Sequence, residues 1–111
     1  MNTNSVECKV FPDSKSACKH GWGGIVYEWK GDSRNFPEDV AGVLINMPVD
    51  WGGEDNKGKG VMIGWNVDKD RLEESHRWVL SGTYEKPTLN PSLHWITMWH
   101  GFLENGYLRS C

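Results

Sequence analysis

The chain has 111 residues and a formal net charge of −3, with acidic and basic side chains interspersed. That length fits a single domain, 1–111, with one modest core, and the slight acidity makes nucleic acid an unlikely partner, since nucleic-acid binders usually carry a basic excess. No run of about 18 apolar residues is present, so no membrane span is expected.

Residues 1–19 are polar with weak periodicity and read as a loose N-terminal arm, with a short strand at most over 7–11. The alternation of Ile25, Tyr27 and Trp29 predicts a strand over 25–30. The β-branched content of 43–47 predicts another. The glycine-rich, charged segment 48–60 reads as an irregular surface loop, and 61–67 as a strand. The best helix candidate is 68–74, where Asp68 can cap and Glu73 and Glu74 favour helix. A strand over 78–80 ends at Ser81-Gly82, and Pro87 and Pro91 punctuate an extended segment. Residues 93–104 then read as one strand and 107–110 as the last. The predicted fold is α+β and β-rich: a small antiparallel sheet of about five or six strands, one short helix and a C-terminal β-hairpin.

Asn105-Gly106 is the strongest local signal, because both residues tolerate the positive φ of a type I′ turn. Such a turn sets the register: Glu104 faces Tyr107, Leu103 faces Leu108, Phe102 faces Arg109, Gly101 faces Ser110 and His100 faces Cys111. An imidazole and a thiol then stand within about 5 Å at Cβ. That spacing suits two ligands of one zinc ion or a Cys–His nucleophile. Cys18 and His20 share a face if their segment is extended, so Cys18, His20, His100 and Cys111 are the metal set the sequence offers. The plain alternative is a solvated strand end, and no cofactor is expected unless those four meet around zinc. His76 and His94 have no partner visible in the sequence.

Other signals are weaker. Gly53 to Gly58-Lys59 approaches a phosphate-binding loop, but Gly60 stands where a hydroxyl residue is needed. Asp68, Asp70, Glu73 and Glu74 read as the solvated face of a short helix. Lys30, Arg34, Lys57 and Lys59 lie near Trp29 and Trp51 but are diluted by acidic neighbours. The seven tryptophans are expected to anchor the core, with one or two free to stack on a partner.

Trp78, Gly82, Pro87, Thr88, Pro91, Ser92, His100, Phe102, Gly106 and Cys111 form a spaced pattern. In it the chain resembles a family of small phage and bacterial proteins, often labelled ammonia monooxygenases and otherwise of unknown function. That family's pattern runs from a Cys-Pro-x-Cys knuckle through P-T-x-x-P-S to Cys-His-x-Phe, an Asx-Gly turn and a later cysteine. This chain has no knuckle cysteines over 61–70, and Trp99 replaces the first residue of the Cys-His pair. The resemblance implies a phage-type origin and a small β fold, and no reaction.

A tryptophan surplus without a complete catalytic constellation predicts a non-catalytic binding protein acting on a host protein, with Trp29, Trp51, Trp99, Phe102, Tyr107 and Arg109 as its contact residues. An enzyme is not favoured. The alternatives are a zinc or Cys–His enzyme at His100 and Cys111, and a binder of nucleotides or single strands through exposed tryptophan. The N-terminal stretch lacks an apolar signal segment and the odd cysteine count fits reduced thiols, so the expected compartment is the cytoplasm, that of the host for a phage protein.

Overall fold

Strands rich in buried apolar side chains form two sheets over one shared core. The computed structural model describes residues 5–49, 58–73, 76–95 and 99–110. In chain order the elements are β1 (Ser5–Glu7), β2 (Lys9–Val10), α1 (Ser14–His20), β3 (Gly24–Trp29), β4 (Val40–Met47), β5 (Val61–Asn66), β6 (Val79–Gly82), β7 (Pro87–Trp95), β8 (Trp99–Glu104) and β9 (Tyr107–Ser110). One sheet is five-stranded and antiparallel, in the order β1-β9-β8-β7-β6; the other is four-stranded and mixed, in the order β2-β3-β4-β5. The β-rich class and the C-terminal hairpin agree with the sequence reading. The single sheet expected there is instead a pair.

Ile25, Val43 and Ile45 of the mixed sheet meet Leu89, Leu93, Leu103 and Leu108 of the antiparallel one, all of them fully buried. Burying such a side chain stabilises by about 1.5–3 kcal/mol, so this cluster is the main force joining the sheets. In β8 the alternation is strict: Trp99, Gly101 and Leu103 point inward, while His100, Phe102 and Glu104 point out. Gly101 lets the Trp99 ring lie close, because a methyl there would run into that ring and the Arg109 carbonyl.

Three further expectations need correction. The polar segment expected as a loose arm is built into the fold from Ser5 onward. Val6 pairs with Leu108 in one sheet, Val10 pairs with Ile25 in the other, and the buried Cys8 sits at the crossing. The amides of Cys8 and Lys9 donate to the carbonyls of Gly106 (2.8 Å) and Gly23 (3.0 Å) there.

The helix lies at α1 and not over 68–74. Asp13 caps α1 by accepting from the Ser16 amide at 2.8 Å. Only Ala17 of the helix is buried, so it shows no apolar stripe to read. Asp68 does cap, accepting from the Asp70 amide at 3.0 Å through its side chain and from the Leu72 amide at 3.0 Å through its carbonyl. The chain makes one turn and stops, as expected for so short a segment with no apolar face to dock.

The single strand expected over 93–104 is two strands. β7 and β8 are antiparallel partners, with Trp95 opposite Trp99 and His94 opposite His100.

Leu103→Ala is expected to lower the unfolding free energy by about 2–5 kcal/mol through a core cavity. Phe102→Ala, one position away and facing solvent, should cost less than half of that. Urea midpoints of the two variants check this.

Candidate active site

The β7–β8 pairing carries an irregularity that shapes the outer face. Leu89 is opposite Leu103 and Leu93 is opposite Gly101. Three residues, Asn90, Pro91 and Ser92, therefore stand against Phe102 alone. This is a β-bulge, a device that re-aims side chains and is over-represented beside active sites. Leu89 and Leu93 flank it with their side chains wholly in the core, so the extra length is displaced outward. The Asn90–Pro91 peptide within it is cis.

Ser92 emerges from this bulge beside His100. Its Oγ lies 3.2 Å from His100 Nε2, within the reach required between a nucleophile and its general base. His94, two residues further along the same strand, also meets His100, with ring centres 5.0 Å apart and planes inclined by 37°. Ser92 is half-buried, and both imidazoles are exposed.

The backbone around the pair is tied down from several directions. The Trp78 indole Nε1–H donates to the Ser92 carbonyl at 3.2 Å. The Trp78 ring meets Trp65 edge-on at 4.9 Å, which fixes the indole in the core. The Thr88 hydroxyl accepts from the Asn105 amide at 2.9 Å, and the Pro87 carbonyl accepts from the Gly106 amide at 2.9 Å. The hairpin tip is thereby fastened to the start of β7. Asn105 (φ 49°) and Gly106 (φ 80°) have the positive φ values of the expected type I′ turn.

The residues singled out from the sequence are scattered by comparison. The register predicted for the final hairpin is found for its four described pairs, from Glu104–Tyr107 to Gly101–Ser110. Trp51 and Cys111 lie outside the described residues. Trp99 is buried in the core. Trp29 is half-buried with the Arg34 guanidinium 5.5 Å from its ring centre, Tyr107 is half-buried under Arg109 at 5.4 Å, and Phe102 is exposed beside the Ser92–His100 pair. Cys18 and His20 are exposed on α1, where residues two apart diverge, so the shared face expected of an extended segment is lost. His20 packs instead on Phe11, 5.0 Å between ring centres. Among the described residues no group of three or more His, Cys, Asp or Glu side chains converges.

Sequence reasoning passed over Ser92 as a chemical group and left His94 without a partner. The available signal was the Pro-Ser of the P-T-x-x-P-S pattern eight residues before a histidine.

The outward bulge of β7 thus sets a serine hydroxyl against an imidazole on the neighbouring strand. In comparison with family models, residues 56–111 match the family described as Bacterial ubiquitination-like system serine protease (BubE), and the chain belongs to that family. The match contains β5 to β9 and both Ser92 and His100. No curated protein and no solved structure matches the chain. No helix among the described residues is long and apolar enough to cross a membrane.

The thiols differ sharply in environment. Burial pushes Cys8 up to about 12, partly offset by a backbone hydrogen bond at Leu108, so its thiol stays protonated at any pH where thiol reagents are used. Cys18 is exposed. With a thiol reagent at pH 8, peptide mapping should find Cys18 modified quickly and Cys8 only after denaturation; prompt labelling of Cys8 in the folded chain would contradict its burial.

Proposed function

We propose that this chain is a serine hydrolase acting on a peptide or related amide bond of a protein substrate, with Ser92 as nucleophile and His100 as general base. The observation that carries this reading is the 3.2 Å approach of Ser92 Oγ to His100 Nε2 on the outward bulge of β7. The family description, a serine protease of a ubiquitination-like system, supports the same choice of nucleophile.

The chemistry follows from the pair. His100 Nε2 takes the hydroxyl proton as Ser92 Oγ bonds to the scissile carbonyl carbon. The imidazolium then gives that proton to the departing amine, leaving an ester on Ser92. A water molecule, deprotonated by the same nitrogen, attacks the ester carbonyl. Its hydroxyl stays with the released acid, and Ser92 recovers its proton from His100. The protein partner expected from the sequence is, on this reading, the substrate, and the binding role expected there becomes substrate capture.

A fluorophosphonate probe should modify the folded chain at Ser92, and peptide mapping locates the adduct. Ser92→Ala should abolish labelling. His100→Ala should slow it by about 10²–10⁴-fold, the usual worth of a positioned base, with circular dichroism confirming that both variants fold. Labelling at another serine, or at the same rate without His100, would overturn the assignment and leave a purely binding role.

A further inference from the structure

His94 and His100 face each other directly across β7 and β8, both exposed, on a paired backbone whose register the core dictates. A zinc–nitrogen bond of about 2.0–2.1 Å places each ring centre roughly 3.2 Å from the ion, so two imidazoles in a tetrahedral shell have centres about 5 Å apart. The observed separation is 5.0 Å. The pair thus has the spacing of a two-imidazole chelate before any metal arrives, and its exposure leaves the remaining coordination positions to water.

We propose that His94 and His100 form a binding site for a divalent transition metal, Zn²⁺ foremost, and that occupation of this site switches off the serine chemistry. The binding half stands on the imidazole geometry alone; the inhibition half rests on the assignment of Ser92 and His100 above.

Inhibition does not depend on which ring nitrogen of His100 meets the ion. A neutral imidazole has one lone pair and one N–H. If the metal takes Nε2, it displaces Ser92 Oγ. If it takes Nδ1, the proton must sit on Nε2, which then donates to Ser92 Oγ and cannot accept from it. Either way the lone pair that serves as base is consumed. The hydrogen bond of Ser92 Oγ goes to His100 and not to His94, so the expected part of His94 is in the inhibition.

The full chain, freed of metal with chelator, is titrated with Zn²⁺ while heat and the histidine ring NMR signals are followed. The expected result is one ion per chain, with the His94 and His100 signals moving together and those of His20 and His76 unmoved. His94→Ala should weaken binding about tenfold or more. In parallel, fluorophosphonate labelling of Ser92 should fall with the same midpoint and return with EDTA. In His94→Ala the labelling, measured against that variant's own metal-free rate, should require about tenfold or more Zn²⁺ to suppress. Binding that survives both His94→Ala and His100→Ala, or no binding at millimolar Zn²⁺, would overturn the site. Binding through the pair in a chain whose Ser92 never labels would uphold the site and overturn the inhibition along with the hydrolase reading.

Discussion

The register between β7 and β8 is held by the core, and the outer face is built on it. Leu89, Leu93 and Leu103 are wholly buried, and Gly101 opposite Leu93 leaves room for the Trp99 ring. A slip of one residue would turn each of these leucines toward water and each polar neighbour inward. With both leucines of β7 committed to the core, the surplus residues between them have one direction open to them. Asn90, Pro91 and Ser92 bulge outward against Phe102, and Ser92 comes to rest at His100. A serine in an even ladder would face its direct partner. Here the irregularity aims it at the histidine two positions beyond that partner, a diagonal neighbour within side-chain reach.

The final hairpin was legible because its turn chemistry is local. Asn105 and Gly106 announce positive φ, and the register counted outward from them is found pair by pair. The preceding reversal between Trp95 and Trp99 carries no such announcement: Ile96-Thr97-Met98 contains no Gly, Pro, Asn or Asp. Without a turn signal 93–104 reads as one strand, in which eight residues would hold Ser92 and His100 roughly 26 Å apart at about 3.3 Å per residue. The candidate site exists only once that strand is folded in two. The N-terminal segment was opaque for another reason. Its contribution to the core is thin, Cys8 and Ala17 being the buried ones among its described residues, and backbone pairing to both sheets, invisible in any side-chain pattern, holds it in place.

Within the pattern running from Trp78 to Gly106, two groups of residues play distinct parts in the structure. Trp78, Pro87, Thr88 and Gly106 face the scaffold, and each has a bond that fixes backbone: indole to Ser92 carbonyl, Pro87 carbonyl to Gly106 amide, Thr88 hydroxyl to Asn105 amide. Ser92 and His100 spend their side chains on each other at the surface. That contact gives folding little, because an exposed hydrogen bond exchanges evenly with water. A scaffold this heavily braced beneath so inexpensive a surface contact fits the proposed nucleophile–base role of the pair. Preorganisation of this sort is what lets a hydroxyl and an imidazole act as a nucleophile–base pair.

The same rigidity exposes the pair to metal. Two imidazoles on flexible loops would need ordering before they could chelate an ion, an entropic cost of order 1 kcal/mol or more per residue. On paired strands His94 and His100 have already lost that freedom, so the ion meets a site whose spacing is set. On the proposed reading, the same ring nitrogen that would act as base toward Ser92 would also be a ready metal ligand. The serine proton and a metal ion would then compete for a single lone pair, and the cross-strand position of His94 would favour the metal. Replacing His94 with a residue that cannot bind metal should free His100 for its role as base without touching Ser92.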